Sequence, residues 1–169
     1  MLKRFSRNFY KYVYSKDIYD EPLKSFSGLV KENLVDCNSE KILDAACGFN
    51  NEYLAKLIDD GLIETSSLTG LDIDENVIDA NKIHKDIHIQ DLHSPMGDNL
   101  FDGVISLYTW EHLENPAKVM FNFHRSLKKG GRLIIIAPNR YCYISIVERM
   151  LPPILKNLSW KILKGRKHM

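Results

Sequence analysis

Between residues 41 and 137 the apolar positions fall into short continuous runs, separated by stretches whose apolar residues recur every three to four positions. The runs predict strands and the spaced stretches predict helices. Residues 42–46 read as a first strand. Residues 51–60 read as a helix with Leu54, Leu57 and Ile58 on one face and Gly61 as its stop. A second strand is predicted at 68–73. A short helix is predicted at 75–82, with Asp74 as its N-cap. Strands at 87–89 and 102–108 come next. Asn115-Pro116 supplies an N-cap and a first-turn proline. The helix they open carries Val119, Met120, Phe123 and Leu127, and Gly130-Gly131 is expected to end it. Residues 132–137, with Leu-Ile-Ile-Ile at their centre, predict a strand buried on both faces.

Strand and helix alternating in this way predict an α/β fold, a Rossmann-like doubly wound and mostly parallel sheet with helices on both sides. Residues 1–38 read as helical and irregular, with Leu29-Val30 and Leu34-Val35 packing on the alternating region C-terminal to them. Residues 141–169 read as helix broken at Pro152-Pro153. The expectation is one domain over 1–169: an N-terminal helical lid at 1–38, a core at 40–140 and a basic helical tail at 141–169.

Composition narrows the setting. A chain of 169 residues with 44% hydrophobic and 27% charged residues is long enough for a core and ordinary for a globular protein. No apolar run approaches the roughly 18 residues of a membrane span, and no apolar stretch of a secretory signal comes after Lys3-Arg4. Cys37, Cys47 and Cys142 are odd in number and far apart. They read as reduced thiols of a cytoplasmic protein. His84, His88 and His93 have no ligand spacing, so no metal is expected.

Charge is +1 overall but unevenly placed. Residues 1–16 and 156–169 hold basic residues and no acid, while acids outnumber bases between them. An acidic body with basic ends does not suit a nucleic-acid groove. The ends also carry aromatic residues, among them Tyr14, Tyr19 and Trp160. Two readings stay open for them: a lid over a cofactor, or contact with a membrane surface or a lipid-like acceptor.

The chemistry should gather at the carboxyl ends of the strands, where ligands of such sheets bind. The first strand ends in Asp44-Ala45-Ala46-Cys47-Gly48-Phe49-Asn50, small residues that let backbone approach a ligand before a helix start. Asp72 ends the second strand. Its distance past Gly48 suits a carboxylate that accepts from both ribose hydroxyls. Asp91 lies just past the third strand, where an adenine amino group can donate to it. Tyr108-Thr109-Trp110-Glu111-His112 lies past the fourth.

These segments resemble the motifs of the class I S-adenosylmethionine-dependent methyltransferases, in the small-molecule branch that includes the ubiquinone-biosynthesis enzymes. The resemblance covers about residues 40–140. It rests on Ile42 to Asn50 against LDxGCGxG, Leu68 to Asp74, Gln90-Asp91-Leu92, Phe101 to Ser106 with Glu111-His112-Leu113 and Pro116, and Leu127 to Leu133 with Pro138-Asn139-Arg140. It implies S-adenosylmethionine as cofactor and methyl transfer to a small-molecule or lipid-like acceptor. Asp44 and Gly48 would lie near the methionine part, Asp72 on the ribose, Asp91 and Leu92 at the adenine. Ala46, Asn50, Ile73 and Leu107 complete the expected cofactor contacts. His112 is the one candidate base, or else a helix-start residue with a structural hydrogen bond.

The chain departs from the family pattern in two ways. Ala46 and Asn50 stand where glycine is usual. Asn50 suits a left-handed turn, and Ala46 is expected at negative φ. Five strands are counted where the family has seven, so the final antiparallel hairpin is expected to be missing. That would leave a sheet edge open to a second copy of the chain or to cover by the tail. GxGxxG is absent, which argues against a nicotinamide-dependent dehydrogenase. The Leu-Tyr-Thr-Trp turn after the fourth strand argues against a nucleic-acid amino-methylase. A non-catalytic methyltransferase-like binding domain is the remaining alternative.

Overall fold

The computed structural model describes residues 20–49 and 51–137. The expectations for Tyr14, Tyr19, Asn50, Pro138 to Arg140, Cys142, Trp160 and the tail fall outside these residues. So do those for membrane contact.

Helix α1 (Asp20–Val30) runs on into a π-helical turn at Lys31–Val35. After it come β1 (Ile42–Ala45), α2 (Glu52–Asp59), β2 (Leu68–Asp72), α3 (Val77–Ala80), β3 (Asp86–Ile89), β4 (Phe101–Leu107), α4 (Pro116–Ser126) and β5 (Leu127–Ile136). The strands form one sheet in the order β3-β2-β1-β4-β5, and every pairing is parallel. Strand order reverses between β1 and β4, the switch point at which such sheets open a ligand crevice.

Both faces of the sheet are covered. On one face Phe26, Val30 and Leu34 of the N-terminal helix join Leu54, Leu57 and Ile105 in an apolar cluster. On the other, Val119 and Phe123 of α4 pack with Leu43, Leu71 and Val104. The central strands accordingly send apolar side chains to both faces: Ile42, Leu68 and Ile105 to the first cluster, Leu43, Leu71 and Val104 to the second. Asn115 caps α4 as expected, its side chain accepting from Lys118 N–H at 3.1 Å with Pro116 in the first turn.

Three expectations are corrected. Asp74 is not an N-cap. Its carboxylate accepts from Asn76 N–H two residues on, at 3.0 Å, which closes a tight turn in place of helix. Helix α3 begins only at Val77. Gly130-Gly131 does not end α4. The helix stops at Ser126, and Leu127 already pairs with Phe101; the glycines lie inside β5, at a bulge between Phe101 and Gly103 of β4. Finally, β5 is not buried on both faces. Only Ile134 is fully buried, while Leu133, Ile135 and Ile136 are half-buried. Among the described residues β5 pairs on one side alone.

Asp102 fastens the amino ends of β1 and β4. Its carboxylate accepts from Lys41 N–H at 3.0 Å and Glu40 N–H at 3.2 Å, and pairs with Lys128 at 2.9 Å. Partial burial pushes the carboxyl up, but the Lys128 ammonium and the backbone donors outweigh it and hold it below the usual carboxylate range. A depressed folded pKa gives stability above the unfolded value near pH ~4, lost as pH falls through the folded pKa. Asp102→Asn should therefore cost about 1–2 kcal/mol at neutral pH. In urea titrations the deficit should shrink towards pH ~3. An equal deficit at both pH values would contradict this account.

Candidate active site

The turn after β1 is held from three sides. Cys47 N–H donates to the Leu71 carbonyl at 3.0 Å, and Gly48 N–H to Asp72 Oδ2 at 2.9 Å. From the loop after α3, Asn81 Nδ2 donates to the Gly48 carbonyl at 2.7 Å. These bonds impose left-handed backbone at both Ala46 (φ 61°) and Gly48 (φ 58°). The expectation of negative φ at Ala46 is thus corrected: long-range bonds set the turn, and alanine takes the conformation glycine would take freely. Ala46→Gly should raise stability by about 1 kcal/mol, measured by denaturant titration. An unchanged or lower midpoint would refute strain at this position. Cys47 is buried. Its thiol is pushed up to about 12, by burial first and then by Asp44 and Asp72, so it is a packing residue and no nucleophile.

In front of the turn a cleft of about 470 Å³ opens at the carboxyl ends of the strands. That size lies within the range of small-molecule sites. Ala46, Asp72, Ile73, Asp91, Leu92, Leu107 and His112 line it, together with Gln90, His93, Tyr108, Thr109, Leu113 and Glu114. Asp72 is fixed before any ligand arrives, since its second oxygen accepts from Asp74 N–H at 3.0 Å. Ile73 is 71% exposed, an apolar side chain laid open on the cleft wall. Asp91 Oδ1 accepts from His93 N–H at 2.9 Å and lies 2.8 Å from His93 Nδ1. These donors, the backbone one first, hold Asp91 below the usual carboxylate range. Asn115 N–H donates into His93 Nε2 at 3.3 Å, which assigns the ring proton to Nδ1. Asn122 of α4 fixes the same turn by donating to the carbonyls of Leu92 and Ser94.

Tyr108 stands at the mouth with φ 54°, and its hydroxyl lies 2.8 Å from that of Tyr53 on α2. The His112 side chain is 77% exposed, with Nε2 4.0 Å from Glu111.

One expected contact does not open on the cleft: Asp44 is sealed behind the turn, 1% exposed. Gly48 meets the cleft through Asp72, to which its N–H donates. Asn50 lies outside the described residues. Conversely, sequence reasoning assigned no role at the site to His93, Tyr108 or Asn81. Only His93 had a local signal, as an imidazole two residues after an aspartate. The three histidines read as scattered each meet an aspartate: His84 with Asp44, His88 with Asp86, His93 with Asp91. Among the described residues no three metal-ligating side chains gather, and no helix is long and apolar enough to cross a membrane.

A parallel sheet with a switch-point crevice, a left-handed turn after β1 and a carboxylate at the tip of β2 define a Rossmann-like α/β domain. Residues 43–135 match the family described as methyltransferase domain, more than half of the chain, and the protein belongs to that family. The chain is 25% identical over 120 residues to a ubiquinone biosynthesis O-methyltransferase of Dechloromonas aromatica, covering 64% of this chain and 49% of that protein. It is 28% identical over 137 residues to a demethylmenaquinone methyltransferase of Thermotoga maritima, covering 79% and 53%. Among solved structures, the plantazolicin methyltransferase BpumL in complex with SAH superposes with a TM-score of 0.59 at 18% identity, covering 80% of this chain and 52% of that one. That likeness shows the fold. The chain spans about half the length of the curated relatives it matches.

Proposed function

We propose that the cleft holds S-adenosylmethionine and that the protein transfers its methyl group to a small-molecule or lipid-like acceptor. The observation that carries this reading is Asp72. It lines the cleft, and two backbone N–H groups fix its carboxylate, one of them from the glycine of the β1 turn. Each oxygen keeps a lone pair free to accept from a ribose hydroxyl. The residues fit the cofactor in other respects too. Asp91 can accept from the adenine amino group, and Ile73, Leu92 and Leu107 provide apolar walls for the base.

Bound cofactor supplies a methyl group already activated on a sulfonium. The chain's own task is then to place an acceptor in line with that methyl and to keep it there. Where the acceptor must lose a proton, His112 is the imidazole at the cleft edge able to take it. The quinone-directed names of the two relatives support a small-molecule acceptor.

Calorimetry with S-adenosylmethionine and S-adenosylhomocysteine tests the reading, with a single-turnover assay on quinol-like phenols as the second step. No heat with either compound would sink it. Binding without turnover on any acceptor would favour a methyltransferase-like binding domain, for which the strained Ala46 is the supporting observation.

A further inference from the structure

Behind the cofactor turn lies a buried pair that the cleft itself does not use. His84 Nε2 is 3.2 Å from Asp44 Oδ2, and the two side chains are 0% and 1% exposed. Neither oxygen of Asp44 has an aligned hydrogen-bond donor among the described residues, and neither has His84 Nε2. Burying a carboxylate in this way is costly unless a cation or donor meets it.

The other ring nitrogen decides what Nε2 can be. His84 Nδ1 lies 3.1 Å from Asn81 Oδ1. That amide is oriented unambiguously. Its oxygen accepts from Ile83 N–H at 2.9 Å and His84 N–H at 3.1 Å, while its nitrogen donates to the Gly48 carbonyl. Asn81 Oδ1 is therefore an acceptor, and Nδ1 must carry a proton. In neutral His84, Nε2 would then turn a bare lone pair towards the Asp44 carboxylate. A second ring proton converts that repulsion into a charge-assisted contact.

Gly70 makes the arrangement possible. A Cβ there would stand 3.0 Å from Cys47 Sγ and 3.2 Å from His84 Cγ, so the missing side chain is the slot in which the ring lies. The groups facing the ring are Asp44 from β1, Asn81 from the end of α3 and Gly70 from β2; Cys47 and Ile87 border the same slot at Gly70. Asp72, at the tip of β2, holds the same turn by accepting from Gly48 N–H. The Cys47 thiol stays neutral at working pH, so Asp44 is the charge His84 must answer.

We propose that His84 carries a proton against Asp44 and, through Asn81, is a positioning residue for the Gly48 turn, so that cofactor affinity depends on that proton. This rests on the cofactor binding at the turn. Deprotonation sets two lone pairs against each other behind β1 and disturbs the residues that hold the Gly48 carbonyl.

The test is S-adenosylhomocysteine affinity by calorimetry from about pH 6 to about pH 9. Wild-type affinity should fall by about tenfold across that interval. His84→Gln, whose amide donates without titrating, should remove most of the fall. Ring ¹⁵N shifts in the wild-type protein give a measure that no variant needs to survive. Nε2 should be protonated at the acid end and lose its proton over the interval in which affinity drops. A neutral ring at the acid end, a flat wild-type profile, or a fall retained in His84→Gln would each overturn the proposal. Absence of any binding at all would instead count against the cofactor reading.

Discussion

Replacing Asp72 with alanine should weaken S-adenosylhomocysteine binding by about 100-fold, the effect of two lost charge-assisted hydrogen bonds at about 1.5–3 kcal/mol each, taken at the low end. The carboxylate is ready for this work before a ligand enters, because Gly48 and Asp74 N–H groups already fix both oxygens. Its rotamer is set, so little ordering remains to oppose binding. Asp72→Asn should lose less, since one oxygen can still accept, but its amide must face a donor on the other side. Calorimetry reads both variants, with a melting curve as the control for folding. An alanine variant that binds within threefold of the parent would remove the ribose assignment and with it the main support for the cofactor.

The second large effect concerns stability. Phe123 is fully buried on α4, its ring edge-on to Trp110 at 6.2 Å between centroids. It packs in the cluster that contains Leu43, Leu71, Leu92 and Val104, behind the cleft. Phe123→Ala should lower unfolding free energy by about 3–5 kcal/mol, through lost transfer energy and the cavity left behind. That is a large part of the roughly 5–15 kcal/mol of a typical domain. Leucine at the same position should cost far less, about 1–2 kcal/mol. Urea unfolding at neutral pH measures both. A loss under about 1 kcal/mol for the alanine variant would mean that α4 is not a main prop of this face.

The parts of the fold that could be read from sequence are those whose signals are local. In β1 and β4 the adjacent apolar pairs Ile42-Leu43 and Val104-Ile105 serve opposite faces because both faces are covered, and such runs announce themselves. Asn115-Pro116 marked the start of α4 because a cap and a first-turn proline act on the next residues only. The start of β5 was hidden. Leu127-Lys128-Lys129 looks like the end of an amphipathic helix, and only its pairing with Phe101 makes it strand. Asp74 failed as a cap for a related reason, since a nearer partner, Asn76 N–H, took its carboxylate.

The same division holds at the site. Acids at strand tips are visible, since a strand's end fixes roughly where its last side chain stands. The sign of φ at Ala46 is not, because it is set by bonds to Leu71, Asp72 and Asn81 far along the chain. Nor is the side of the turn on which Asp44 lies. Its partner, His84, arrives from the far end of the next helix-and-loop unit, through a slot that Gly70 leaves open.

The left-handed backbone at Tyr108 has a consequence of its own. A bulky residue at φ 54° costs about 1–2 kcal/mol, and two bonds offset that cost: its N–H to the Ile136 carbonyl at 2.7 Å and its hydroxyl to Tyr53 at 2.8 Å. Burial, then the bond to Tyr53, pushes the Tyr108 phenol above the ordinary tyrosine range. The doorway of the cleft is thus latched by a contact that stays uncharged at Tyr108. Neither salt nor moderate pH change acts on such a latch directly. The entrance should keep its width under conditions that alter how the interior binds.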